Sequence, residues 1–263
     1  MTGPLIVKLG GSVLDRLSAA WWDDAAAVAA ERQLVIVHGW SVPVAALRGE
    51  RRREPVMLLS QTGHRSRLTD AAVLDDIRTV SARIRGDIAS LLAPRAVSTR
   101  TVDASEARLI HAQVRRQRWW VDGRLEYLEN LVGPVQHVDG AAVSALLAGV
   151  GALVVTPLAM SAEHPTVNTD ADRAAAHLAT ALGVAELVFV TDVDGVLVDG
   201  VTVRELSASD VPGLRGQLTG GMRKKVQAAT SAVGRGLRGA AIGRASISEL
   251  LAGLAGTRVR SDA

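Results

Sequence analysis

The sequence contains no cysteine, which excludes disulfide scaffolds, zinc ribbons, iron–sulfur clusters and thiol nucleophiles. Lysine is nearly absent too: Lys8, Lys224 and Lys225 stand against 27 arginines. An excess of one charge is also lacking. Thirty basic and 27 acidic side chains leave +3, too little to support a whole-chain reading as a nucleic-acid or membrane-surface binder. The opening MTGPLIVKLGG has no charged segment followed by an apolar one, so no signal peptide is read and a soluble, cytoplasmic protein is expected. The one long uncharged run, residues 140–162, is broken by Gly149, Gly151, Thr156 and Pro157 and reads as a core helix plus a buried strand. No GxxxxGKS/T occurs, so there is no Walker loop.

What is present is an alternation of short apolar runs with helical stretches, the pattern of an α/β protein with a largely parallel sheet. Strands are expected at Leu5–Lys8, Leu34–His38, Leu153–Thr156, Leu187–Thr191, Ala240–Gly243 and Thr257–Arg260. Helices are expected at Ala19–Glu31, Ala71–Leu92, Gly140–Ala148, Asp170–Leu182 and Met222–Gly234, the fourth capped by Asn168 or Thr169. From about residue 94 to 138 the chain turns arginine-rich (RRQRWWVDGR) and reads as hairpins or meander on one edge. At 263 residues the chain makes one large domain or two lobes, divided as 1–150 and 151–263 and sharing one sheet.

Both lysine segments contain glycine, and a compact ammonium suits one phosphate oxygen better than a forked guanidinium does. In Val7-Lys8-Leu9-Gly10-Gly11-Ser12, a strand feeding two glycines can turn backbone N–H groups towards one point, an anion-binding nest. Strand–turn–helix junctions with two glycines also occur without a ligand. Val37-His38-Gly39-Trp40 delivers a second strand end to the same edge, where open α/β sheets bind ligands, although a histidine there is more often structural than catalytic. Asn168, Asp170 and Asp172 open a helix and supply more polar groups than one cap needs. In Thr219-Gly220-Gly221-Met222-Arg223-Lys224-Lys225, two lysines oppose a helix dipole, which a bound polyanion would reverse.

Two decoys fail on context. Gly234, Gly236 and Gly239 fit GxGxxG but follow a helix and precede a strand, the reverse of a dinucleotide site. Thr191-Asp192-Val193-Asp194-Gly195 looks like the start of a haloacid-dehalogenase-type phosphatase, but no closely spaced acidic pair follows to hold Mg²⁺.

Taken in order, KLGGS, VIVHG, SRLTDAAVLD, VNTDADRAAAHLATALG, LVFVTDVDGVL and GGMRKKVQAA resemble the amino acid kinase family, in its acetylglutamate kinase branch. The SRLTD, NTDAD and RKK pieces are most similar to kinases that act on aminoadipate or glutamate attached to an amino-group carrier protein. The resemblance implies a three-layer sandwich around a mostly parallel sheet, with an acceptor-binding and dimerisation lobe at 1–150 and an ATP lobe at 151–263. It implies that Lys8 and Lys225 neutralise the phosphoryl group in transit and that Asp172 holds both. Gly10, Gly11, Gly39, Thr191, Asp192, Gly220 and Gly221 would serve the nucleotide. Arg67 and Asn168 would grip the acceptor, and Trp40, also on the substrate side, would narrow the γ-phosphate pocket. Mg²⁺ would come with ATP rather than sit in a dedicated metal site. An acidic carrier protein would dock on Arg51, Arg52, Arg53 and Arg65, no nucleic acid or membrane partner is implied, and the assembly would be a homodimer. Free N-acetylglutamate as acceptor, or a non-catalytic carrier-binding role, are the alternatives. Three departures fall on the acceptor side: Trp40 stands where the family has glycine, residues 98–104 have no glycine where it has a glycine-rich segment, and residues 129–135 read ENLVGPV where it has a Gly-Tyr-Thr-Gly-like loop.

Overall fold

The computed structural model describes residues 3–261 apart from 53, 62, 64, 122 and 215. Eight strands form the main sheet: β1 (Leu5–Leu9), β2 (Leu34–His38), β3 (Thr99–Asp103), β4 (Ala152–Thr156), β5 (Glu186–Val190), β6 (Glu205–Ser207), β7 (Gly239–Gly243) and β8 (Thr257–Arg260). Their spatial order is β6-β8-β7-β5-β1-β2-β4-β3. Every pairing is parallel except β7 with β8. β1, β2, β4 and β7 are buried at every residue. Parallel strands covered on both faces read as continuous apolar runs, which is why the sequence shows them. β4 lies between β2 and β3, so the strand that follows residue 150 is embedded among strands that precede it.

Helices cover both faces. One apolar layer gathers α1 (Ala19–Glu31), α2 (Ser41–Glu50), α3 (Ala71–Leu92) and α7 (Ile247–Ala252); the other gathers α4 (Gly140–Leu147), α5 (Ala171–Ala181) and α6 (Gly220–Val233). The expected three-layer α/β sandwich is the observed one. The expected cap of α5 is corrected: Asp170, not Asn168 or Thr169, accepts the amides of Asp172 and Arg173 at 3.1 Å.

The arginine-rich middle does form hairpins. A four-stranded antiparallel sheet is ordered 65–67, 57–60, 118–121, 124–127. The same middle also supplies β3, an edge strand the sequence reading missed. Its TRTVD sequence is half exposed, and polar edge strands carry little apolar signal.

Candidate active site

Strand alternation aims the first lysine. Leu5, Val7 and Leu9 face the layer of α1, α2, α3 and α7, whereas Ile6 faces the opposite one. Lys8 therefore points to the side where α5 and α6 begin. Its Nζ lies 2.8 Å from Oδ1 of Asp172, an ion pair by distance without the directional geometry of a hydrogen bond. From α6, the Nζ of Lys225 approaches Oδ2 of the same carboxylate at 3.4 Å. Lys8 and Asp172 are each only 5% exposed. Three segments far apart in sequence thus meet on one buried carboxylate, which separates two ammonium groups at the carboxyl edge of the sheet.

The electrostatics follow from burial. Desolvation holds Lys225 below the ordinary lysine range, Asp172 opposes that shift and the Lys8 charge adds to it. Lys224 turns to Asp170 instead, at 3.3 Å, and is largely exposed. Burial pushes the Asp170 carboxyl up, but Lys224 and the Arg173 amide outweigh it, so the group sits below the usual carboxylate value. The lysines that oppose the α6 dipole are therefore met by the acidic first turn of α5. Three lysines face two carboxylates, and the edge keeps an excess of positive charge.

Two helix starts border this edge without side-chain caps. Ser18, Asp70, Asp139, Asp170 and Ser246 cap α1, α3, α4, α5 and α7. α2 and α6 have no such bond; α2 follows His38-Gly39-Trp40 and α6 carries Lys224 and Lys225. Uncapped N–H groups at a helix start are anion ligands. Gly220 opens α6 at φ +50°, in the left-handed region that favours glycine, and Gly221 beside it is exposed.

Two of the expected glycine donors are corrected. The Gly10 amide donates to the Val190 carbonyl at 3.0 Å and the Gly39 amide to the Leu9 carbonyl at 2.7 Å, so both extend the sheet ladder. Their glycine identity answers to close backbone approach: a Cβ on Gly39 would lie 2.7 Å from the Gly11 nitrogen. Gly11 sits at the same crossing, where its Cβ would meet the backbone of residues 39–41 at 3.3 Å.

Trp40 is corrected as well. The residue is 7% exposed and belongs to the apolar cluster on the α1, α2, α3 and α7 side of the sheet, so its bulk is absorbed by the core. Thr191 is buried at the end of β5, with its amide on the Gly243 carbonyl and its hydroxyl on Asp192. Asp192 is exposed; partial burial pushes its carboxyl up, and its own amide with the hydroxyls of Thr191 and Ser12 and the Arg16 charge pull it below the usual range. Ser12, which the sequence reading passed over, thereby ties the β1 turn to the β5 end. A hydroxyl directly after two glycines is the signal that could have found it.

Of the two residues expected to grip the acceptor, Arg67 lies in the 65–67 strand and Asn168 in a short strand before α5. Arg67 Nη1 and Asn168 Oδ1 are buried without hydrogen-bond partners among the described residues. A ladder of 2.8 Å bonds joins their segments, Leu131 amide to Thr69 carbonyl and Asn168 amide to Leu131 carbonyl. Asn130 Oδ1 accepts the Thr69 amide at 2.8 Å beside it.

The expected docking arginines do not form one free patch. Arg51 is bound to Asp76, a carboxylate on α3 that also takes Arg48 at 2.9 Å. Arg52 is exposed and Arg53 lies outside the described residues. Arg65 is exposed on another element, opposite Leu59 in the antiparallel sheet.

His38 takes the structural reading. It faces the α3 layer, fully buried, with Nε2 3.0 Å from Thr156 Oγ1, which Arg85 of α3 also contacts. Burial, against a hydrogen bond to Gly39 and aided by the charges of Arg85 and Lys8, lowers its pKa to about 3. It is a neutral imidazole at physiological pH.

A buried carboxylate splitting two lysines, between two uncapped helix starts at the carboxyl edge of a parallel sheet, defines an α/β protein of the phosphoryl-transfer class. The chain belongs to the amino acid kinase family, whose model matches residues 3–242. It is 33% identical over 246 residues to a Cenarchaeum symbiosum protein named as a LysW-aminoadipate/LysW-glutamate kinase, covering 92% of each chain. To the acetylglutamate kinase of Geobacillus stearothermophilus it is 33% identical over 234 residues, covering 87% of this chain and 85% of that one. A crystal structure from Streptococcus mutans superposes over the full length of both chains with a TM-score of 0.77 at 23% identity, which supports the fold. Among the described residues no helix is long and apolar enough to cross a membrane.

Proposed function

We propose that the chain is an ATP-dependent kinase that transfers the γ-phosphoryl group of MgATP to the side-chain carboxylate of an aminoadipate- or glutamate-type amino dicarboxylate, giving an acyl phosphate. The acceptor is attached to an acidic amino-group carrier protein. One observation carries this reading: Lys8 and Lys225 converge on one buried carboxylate, Asp172, at the sheet edge. A carboxylate is already a nucleophile. It attacks the γ-phosphorus, the bond to the bridging β-phosphate oxygen breaks and ADP leaves, so alignment and charge neutralisation suffice. The buried, neutral His38 is consistent with a reaction that needs no general base.

In this reading Lys8 and Lys225 stabilise charge on the equatorial oxygens, and Asp172 fixes the gap between them. The open starts of α2 and α6, with Gly11, Gly220 and Gly221, face the phosphates. Thr191 and Asp192 border the nucleotide. The partnerless groups of Arg67 and Asn168 hold the acceptor. Residues 1–150 supply the acceptor side and 151–263 the nucleotide side, and two copies pair as a homodimer. The carrier meets Arg65 together with the exposed Leu59, Trp120 and Tyr127 on the same face of the antiparallel sheet and Arg118 beside them. Apolar area rimmed by arginine suits an acidic partner.

Hydroxylamine trapping tests the reading. Hydroxamate should form with ATP and a carrier-bound acceptor, and none with any free, acetylated or carrier-bound acceptor would overturn it. The similarity to an acetylglutamate kinase favours a second reading, which hydroxamate from free N-acetylglutamate alone would establish.

A further inference from the structure

Arg48 belongs to no motif, yet it ends in an unusual setting. It lies in the last turn of α2, and its side chain is 11% exposed. Asp76 sits on the apolar side of α3, between Val73, Ile77 and Val80, and is 1% exposed. Its Oδ2 takes Arg48 Nη1 at 2.9 Å, and its other oxygen takes Arg51. One carboxylate thus fixes the fork of Arg48 without cancelling both guanidinium charges.

Beyond Arg48 lies a cavity of about 30 Å³, lined by Arg48, Val56, Arg67, Leu68, Asp70 and Val73. A water needs roughly 10–15 Å³, so the space has room for the two oxygens of a carboxylate. Arg48 Nε and Arg67 Nη1, one from each guanidinium at this cavity, are buried with no hydrogen-bond partner among the described residues. Asp70, the carboxylate in the lining, gives its Oδ1 to the Val73 amide as the cap of α3. Arg48 and Arg51 thus share Asp76 while Asp70 caps α3, which leaves Arg67 without a carboxylate partner among the described residues. Burial first, and the Arg48 charge second, hold the Arg67 guanidinium below its usual range. An anion between the two arginines would relieve both effects and supply the missing acceptors.

We propose that Arg48, positioned by Asp76, joins Arg67 as a second cation for the acceptor carboxylate that is not phosphorylated. This rests on the kinase reading above and adds a specificity residue to it. An acceptor with its α-carboxylate in this cavity can turn its side-chain carboxylate towards the sheet edge where α2 begins. Two fixed forks also discriminate by charge, since a carboxamide in that place would leave buried donors facing an amino group.

The test compares wild type with Arg48→Gln, in which Asp76 keeps Arg51 and the fold keeps its buried pair. For a carboxylate-bearing acceptor, KM should rise about tenfold to a hundredfold with kcat little changed, because uniform binding is lost. For an acceptor whose non-reacting carboxylate is replaced by carboxamide, wild type and variant should have the same KM. An unchanged KM for the carboxylate acceptor, or an equal rise for both acceptors, would overturn the proposal while leaving the kinase reading intact. Thermal unfolding with glutarate, a plain dicarboxylate, reads the site without turnover. Glutarate should raise the Tm of wild type and not that of the variant. If wild type forms no hydroxamate with any acceptor, that Arg48-dependent shift upholds the anion site although the kinase reading falls. Equal shifts in both proteins, or none in either, overturn the site.

Discussion

The lysines at the sheet edge and the arginines of the antiparallel sheet carry the same charge in opposite settings. Lys8 is buried and Lys225 nearly so, and both lean on one buried carboxylate. Arg65, Arg118 and Arg124 are exposed, and Arg118 stacks over the Tyr127 ring at 5.0 Å. A buried cation is tolerable only with its counter-charge, so the first region is an interdependent unit. A solvated cation keeps its hydration and depends on little else. The first arrangement is suited to fixed geometry and the second to meeting a partner.

That contrast can be broken most severely at Asp172. Asp172→Asn should lower kcat by about a thousandfold or more, since neither lysine keeps its place, and should cost roughly 3–5 kcal/mol in denaturant unfolding because two ammonium groups lose their partner. Lys8→Ala and Lys225→Ala should each reduce kcat by a similar factor while ATP affinity changes less. Lys224→Ala removes an exposed pair with Asp170 and should stay within about tenfold. Equal small effects of all three would dissolve the distinction between buried and exposed lysines.

Trp40→Gly sharpens the same point on the apolar side. With the indole in the core, the substitution should destabilise by about 3–5 kcal/mol, the range for emptying a tryptophan site. A gain in turnover without loss of stability would return Trp40 to the pocket.

Acid should expose the buried groups next. His38 titrates at about 3 in the fold against 6.5 as a free residue, so between those values the unfolded chain binds the extra proton. Stability should fall as pH drops through 6.5 towards 3, and urea midpoints at several pH values should flatten over that window in His38→Asn. Asp170 and Asp192, held below the ordinary 3.8, lose their stabilising contribution as pH falls through their own lowered values. At the other limit, Lys225 gives up its proton below the usual 10.5, so kcat should decline before that pH and Lys225→Arg should move the decline upward.

The smallest effect belongs to the solvated arginines. Changing Arg65, Arg118 and Arg124 together to Gln should alter stability by less than about 1 kcal/mol. With a carrier-bound acceptor, kcat/KM should fall about tenfold at low salt and converge with wild type as salt rises. No salt dependence would make the second region a solubilising surface only.

The sequence by itself determined the strands of the sheet centre, because β1, β2, β4, β5 and β7 are apolar runs that could be nothing but buried. It also determined the residue types of the site, since Lys8, Asp172 and Lys225 stand in motifs whose order identifies the family. It could not place β3, whose polar edge sequence carries no periodic signal, nor Asp76, a single acid inside an apolar helix pattern. Only the tertiary structure decided which backbone donors are spent. Gly10 and Gly39 look identical to Gly11 in sequence, but the register of β1 with β2 and β5 commits the first two amides to neighbouring carbonyls. The same holds for side chains: Trp40 turns into the core and Arg51 turns to Asp76 because of neighbours contributed by distant segments. Hydrogen bonds and ion pairs are saturable and depend on three-dimensional partners, whereas apolar burial leaves its pattern along the chain.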